Sequence, residues 1–241
     1  MTTMNDSEIP TNFKVIGFGA SILSTLESIS YCGYDSVSVY DANILKNIIP
    51  TDEDKMAIIL VTGDLERAIQ CAKTFYQAGV LTVAITLEGL FLPDDACDTQ
   101  SSTKEYKFVE IIKCLLNVIF NYNGYVSLDF SDIDTTLRDS RYFEVISVYG
   151  LGESRMEDLT HEVLDYIDDI FANKVDKVIM VLSFNKNVDR PLVMNGIRHL
   201  SMYFNTLPKE ITALWGLYHN EIITTDSIRV SLILSGQKLA G

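Results

Sequence analysis

Gly17-Phe18-Gly19-Ala20-Ser21 follows a short apolar run, and Asp41 closes the next one. Two glycines one residue apart after a strand let a backbone approach a diphosphate, and an acid at the end of the second strand can take a ribose hydroxyl. The third glycine of that pattern is Ile22 here. Close approach wants no side chain at that place, so a tight turn without a ligand accounts for the spacing better than a dinucleotide site. Asp129 and Asp132, three residues apart ahead of Ile133, have the spacing and type of helix-capping residues. His161, His199 and His219 have no cysteine or carboxylate at ligand spacing. Cys32, Cys71, Cys97 and Cys114 form no CxxC pattern and read as reduced, structural thiols. No GxSxG or Cys–His signature marks a nucleophile, and Asp165, Asp168 and Asp169 read as a solvated helix face.

The elements that position these residues can be read from hydrophobic periodicity. Strands are expected over Phe13–Ile16, Ser36–Tyr40, Ala57–Val61 and Leu81–Ile85, with helices after GFGAS (Leu23, Leu26, Ile29) and over Leu65–Tyr76. Continuously apolar strands that alternate with helices indicate a parallel sheet buried on both faces. Pro93–Thr103 reads as loop, and Lys107–Phe120 as a helix with Phe108, Ile111, Ile112, Leu115 and Ile119 at helical spacing. A second block offers strands at Phe143–Tyr149, Lys177–Ser183, Ile211–Tyr218 and Ile228–Ser235, the last two joined by a hairpin-like link. Helices are expected over Met156–Phe171 and from Pro191 to about Phe204. The expected architecture is α/β: a Rossmann-like parallel-sheet domain over 1–123, then a smaller α+β domain over 124–241.

Lys+Arg 19 against Asp+Glu 33 gives a net charge of −14, with 47% hydrophobic and 22% charged residues. That is globular composition, and its sign disfavours nucleic acid and direct binding to anionic membrane. The polar, acidic start MTTMNDSEIPTN lacks a signal-peptide pattern, and no apolar run reaches the length of a membrane span. A cytoplasmic protein is expected.

Four collinear stretches resemble the tubulin/FtsZ family. Leu214-Trp215-Gly216, then Asp226-Ser227-Ile228-Arg229-Val230 and Gly236, is similar to the closing strands of FtsZ. Gly152-Glu153-Ser154-Arg155 resembles the G-E-N-R helix entry. Gly124-Tyr125-Val126-Ser127-Leu128-Asp129-Phe130-Ser131-Asp132 resembles the synergy loop that follows the long central helix, the place held here by Lys107–Phe120. FKVIGFG with Asp41-Ala42 resembles the first phosphate loop and the T-D-A turn. The resemblance implies a filament-associated fold and a nucleotide site at Gly17, Gly19, Ala20, Ser21, Asp41, Thr62 and Gly63. It also implies that Asp129 and Asp132 reach a neighbour's nucleotide as catalytic residues, an alternative to helix capping that the sequence leaves open.

Departures from the family pattern bear on function. The family's G-G-G-T-G-T-G phosphate loop is replaced by Thr62-Gly63-Asp64-Leu65-Glu66-Arg67. Its glycines admit backbone N–H groups to phosphate, whereas Asp64 and Glu66 bring negative charge that Arg67 offsets only in part. At an effective dielectric near 20, each carboxylate–phosphate pair costs on the order of 1–3 kcal/mol. The polarising Asn of the synergy loop is Ser127, and no carboxylate stands at Tyr106–Phe108, where the central helix would read guanine. The expectation is a vestigial site with no cofactor, in a pseudo-GTPase that associates head-to-tail with itself or with an FtsZ-like filament protein and is tied to cell division. The alternative is a divergent GTPase that binds GTP through remodelled loops.

Overall fold

The computed structural model describes residues 12–151 apart from 35, 46 and 121–123. Beyond these it describes 175–185, 187, 210–219, 223–225 and 227–237, and residues 159, 162–163, 194, 197–198 and 201. The chain divides into two compact units, Met1–Lys113 and Cys114–Gly241. The division falls inside the long helix rather than after it at 123/124, so the second unit is the longer one.

The first unit is a parallel sheet in the order β2-β1-β3-β4-β5. Its strands are β1 (Phe13–Phe18), β2 (Val37–Asp41), β3 (Met56–Val61), β4 (Leu81–Leu87) and β5 (Thr99–Thr103). Every residue of β1 and β3 is buried, as a sheet covered on both faces requires. Helix α1 (Leu23–Ser30) packs through Leu26 and Ile29, and α2 (Leu65–Gln77) through Ala68, Ala72 and Phe75, the i, i+4, i+7 stripe of an amphipathic helix. Lys14, inside β1, is buried in an ion pair with Asp54 and lies over the Phe75 ring.

Strand β5 corrects the expectation of loop from Pro93 to Thr103. Its sequence, Thr-Gln-Ser-Ser-Thr, carries no apolar signal, yet it pairs with β4 from Val83↔Thr99 to Leu87↔Thr103. Polar groups fix it: the Gln100 side-chain amide both accepts from Leu92 N–H and donates to Leu92 C=O, and Ser102 Oγ donates to Leu87 C=O. Tertiary pairing overrides a weak local signal here.

A 3₁₀ turn (Glu105–Lys107) leads into α3 (Phe108–Phe120), which straddles the division of the units. The second unit then contains β6 (Gly124–Val126), α4 (Phe130–Leu137), β7 (Arg141–Leu151), β8 (Val175–Phe184), β9 (Thr212–His219) and β10 (Ser227–Gly236). Its strands lie in the order β7-β10-β8-β9-β6. β10 is antiparallel to β7 and β8, β9 is parallel to β8, and β6 is antiparallel to β9. The hairpin expected between the last two strands is therefore absent: β9 and β10 flank β8 on opposite sides. The register places Val178, Met180, Leu182 and Phe184 beside Ile228, Val230, Leu232 and Leu234 on one face, where they form the core. The helices expected over Met156–Phe171 and from Pro191 lie mostly outside the described residues, although Leu159 and Val163 are buried in this core. Gly152–Arg155, Asp165, Asp168, Asp169, His161, His199 and Asp226 also lie outside them. Among the described residues no helix is long and apolar enough to cross a membrane, and no group of His, Cys, Asp and Glu could hold a metal ion.

Candidate functional site

Three loops meet at the C-terminal ends of β1, β2 and β3, where an open parallel sheet places its ligand crevice. The structure brings together the residues expected there. Gly17 lies under α1, where an added Cβ would stand 2.8 Å from Ile22 and 2.9 Å from Leu26. Close helix–strand packing therefore accounts for this glycine. Gly19 has φ +116°, a conformation that L side chains rarely adopt. A Cβ there would run into Thr62 Oγ1 and lie 2.6 Å from Gly63 N. Thr62 N–H donates to Phe18 C=O at 2.9 Å, and a Cβ on Gly63 would sit 3.5 Å from Gly19 Cα. The first and third loops thus touch through their backbones, with Ala20 and Ser21 exposed beside them.

The remaining polar groups are committed to one another. Asp41 accepts from Asn43 N–H at 2.8 Å, and Asn43 Nδ2 donates to Gly19 C=O at 3.0 Å. Arg67 donates from Nη1 to Asp64 (2.8 Å) and from Nη2 to Ala42 C=O (2.6 Å), with its guanidinium over the Phe18 ring. Ser21 Oγ donates to Glu105 Oε2 at 3.0 Å. Sequence reading did not single out Glu105, which lies just ahead of the positions searched for a base-reading acid. Asp41, Asp64 and Glu66 on these loops and Glu105 beside them make four carboxylates, and Arg67 is tied to one of them and to a backbone carbonyl. Ile22 and Asp64 occupy the N-cap positions of α1 and α2 without a side-chain cap, so the amide groups of both first turns keep their affinity for anions.

Asp129 and Asp132 form a capping box at the start of α4. Asp129 Oδ1 accepts from Ser131 N–H (2.7 Å) and Asp132 N–H (3.4 Å), while Asp132 Oδ2 accepts from Asp129 N–H (2.8 Å). One oxygen of each carboxylate is committed to the cap. Asp129 and Ser127 are exposed and Asp132 is half-buried, so the pair can cap a helix and still present charge outward.

Tyr218 on β9 holds this loop in place, a role that sequence reading missed. Its side chain is 1% exposed, and its hydroxyl accepts Leu128 N–H at 2.7 Å. The ring lies against Gly124 and Gly216, where an added Cβ would approach it to 2.9 and 2.6 Å. A glycine on β6 and another on β9 beside a tyrosine was the available signal, but only the β6–β9 pairing brings them together. Burial foremost, then the charges of Asp132 and Asp129, raises the phenol above its ordinary pKa, against the lowering effect of the Leu128 N–H. His219, at the end of β9, tilts its ring against Tyr125. Burial pushes the Cys71 thiol up to about 11 and Cys97 to about 12, which makes both weak nucleophiles.

No protein-family model matches the chain, and no curated protein matches it in sequence. Solved structures do. An FtsZ dimer from M. jannaschii, described as empty, aligns with TM-score 0.67 at 12% identity over 95% of this chain and 89% of that one. TubZ of Bacillus thuringiensis serovar israelensis, in GDP-form protofilaments, aligns with TM-score 0.65 at 11% identity, covering 95% and 86%. A GTPγS-form protofilament of the same protein gives TM-score 0.62 at 11% identity, covering 98% and 90%. At such identities the likeness speaks for the fold alone. With a parallel sheet carrying its loops at the strand ends, a central helix and a mixed second sheet, the chain has a tubulin/FtsZ-like fold.

Proposed function

We propose that the chain is a cytoskeletal pseudo-GTPase of the FtsZ/tubulin kind. In this reading it works in cell division by head-to-tail contact with itself or with a nucleotide-binding relative. The observation that carries the reading is the contact of Gly19 with Thr62 and Gly63, which occupies the place where glycine loops would cradle phosphate. Four carboxylates with one committed arginine add repulsion of the order of 1–3 kcal/mol per carboxylate–phosphate pair. The TubZ structures are of protofilaments and one FtsZ structure is of a dimer, so assembly through the faces of this fold is the natural role once hydrolysis is gone. Asp129 and Asp132 are the residues offered to the neighbour.

The test is calorimetric titration of the purified protein with GTP and Mg²⁺, together with an acid extract analysed for bound nucleotide. The expected result is no binding at low-micromolar concentration, because a Kd of about 1 μM needs roughly −8 kcal/mol. A second reading, a divergent GTPase with GTP as cofactor, draws on the uncapped N-termini of α1 and α2, which suit an anion. Stoichiometric guanine nucleotide in the extract would establish it in place of the first.

A further inference from the structure

Strand β2 (Val37–Asp41) is an edge strand, and its pairing with β1 is unbroken from Phe13↔Val37 to Gly17↔Asp41. Phe13 N–H donates to Ser36 C=O and Ala42 N–H to Gly17 C=O. The alternation of a parallel ladder then turns the backbone groups of Val37, Val39 and Asp41 away from β1. Turns have taken some of these groups. Val37 N–H donates to Tyr34 C=O, and Asp41 C=O accepts from Ile44 and Leu45 N–H. Val37 C=O, both groups of Val39 and Asp41 N–H are left without a partner among the described residues. Proteins guard such edges with lysine, proline, bulges or very short strands. An edge strand of the second unit, β6, follows this rule with three residues and a shifted register. β2 has none of these devices.

We propose that this edge pairs with the same edge of a second copy of the chain, antiparallel about a dyad through Val39. The free groups are self-complementary about that axis. Val39 N–H and C=O meet their own counterparts, and Asp41 N–H of each copy meets Val37 C=O of the other. The same axis would pair Val37 N–H with Asp41 C=O, and those are the groups that the turns already hold. A foreign strand meets these groups only by chance, whereas symmetry obliges a second copy to present the matching set. Side chains agree with the register. Val39 faces its counterpart and Ser38 faces Tyr40, without like charges directly opposite. Val37 falls opposite Asp41, so the two Asp41 residues are offset along the strands by about 14 Å. That exceeds the Debye length of about 10 Å at 0.1 M salt. Ile44, 75% exposed, belongs to the turn on Asp41 C=O and adds apolar surface at the margin of the edge. The net charge of −14 on each copy opposes the pairing at low ionic strength and gives it a salt dependence. The product is a closed dimer that uses neither Asp129 nor Asp132, so it stands apart from the head-to-tail reading.

The test is sedimentation velocity of the full chain at neutral pH in about 0.1 M and about 1 M salt, with Val39→Pro beside the wild type. Proline is tolerated at an edge position whose N–H faces outward, so β2 keeps its bonds to β1 while the central bonds of the dimer are lost. The expected result is a monomer–dimer equilibrium that tightens at high salt and that Val39→Pro weakens at least about tenfold. A second readout does not depend on how that variant folds. Val39→Cys sets two thiols on the dyad with Cα atoms about 5.5 Å apart, whereas Val37→Cys sets them about 14 Å apart, beyond the reach of a disulfide. Oxidised glutathione should crosslink Val39→Cys into dimers far faster than Val37→Cys, with the wild type and its four free cysteines as the background. Four results would overturn the proposal: a chain that stays monomeric at high salt, dimers as tight in folded Val39→Pro as in the wild type, equal crosslinking at the two positions, or assembly that grows beyond a dimer and disappears with Asp129→Ala and Asp132→Ala.

Discussion

Asp64 takes up a left-handed backbone (φ 49°, ψ 49°) and gives its carboxylate to Arg67 rather than to the first turn of α2. Gly19 stands opposite with φ +116° and its Cα against Gly63. Such conformations persist only where the surroundings over-determine them, and the mutual contact of the two loops supplies that constraint. Gly19→Ala is expected to cost at least about 1–3 kcal/mol, the strain of an unsuitable φ, with the collision against Thr62 and Gly63 in addition. Urea denaturation measures it, and an unchanged midpoint would mean that the loops stand apart. Lys14 and Asp54 are the other residue-scale commitment. Their side chains are 7% and 0% exposed, and Asp54 Oδ1 has no hydrogen-bond partner among the described residues. Lys14→Met leaves a buried uncompensated carboxylate and should cost about 3–5 kcal/mol. Lys14→Met with Asp54→Leu should recover most of that loss in the same assay.

Elements in this chain are set by different amounts of local and distant information. Helix α2 is written in its own stripe of Ala68, Ala72 and Phe75, whereas β5 exists because β4 and the Gln100–Leu92 bonds hold it. Helix α4 depends on its capping box. Asp129→Ala with Asp132→Ala removes both reciprocal bonds, at a cost of about 1–2 kcal/mol of helix stability. In a chain of this size that is a fall of a few degrees in Tm, about 2–4 °C per kcal/mol. On the head-to-tail reading the same pair should also abolish cosedimentation with a filament-forming FtsZ. A fall in Tm with cosedimentation intact would leave the two aspartates as caps and nothing more. Tyr218→Phe offers a further check, since it removes the acceptor for Leu128 N–H while keeping the ring. Hydrogen exchange should quicken at 127–129 and stay unchanged in β8.

At the scale of the molecule the dominant quantity is charge. With a net charge of −14 and a pI near 4.5, copies repel one another at neutral pH and low salt. A head-to-tail self-contact would also bring Asp129 and Asp132 toward a neighbour's Asp64 and Glu66, with like charges facing. Self-association should therefore be weak in low salt. It should strengthen as salt screens the charges, with a Debye length of about 10 Å at 0.1 M and about 3 Å at 1 M, and as pH falls toward the isoelectric point. Sedimentation velocity across salt and pH measures this. Tight assembly at low salt and neutral pH would show that another face, free of these acids, carries the contact.

The sequence by itself determined the strands and helices whose apolar residues repeat with their own period: β1, β3, β4, β8 and β10, and the helices α2 and α3. It also determined the α/β class and, through ordered short motifs, the resemblance to the tubulin/FtsZ family. These are legible because burial of a strand or a helix face constrains residue type at fixed local spacing. The tertiary structure alone decided that a polar stretch at Thr99–Thr103 is a strand, that β9 and β10 flank β8 instead of pairing, and that Ser21 answers to Glu105. It likewise decided that Tyr218 holds the loop of Asp129 and that Gly19 closes on Thr62 and Gly63. Each of these rests on a bond or contact between residues far apart in the chain, and no local periodicity records which distant partner a hydroxyl, an amide or a bare Cα will meet.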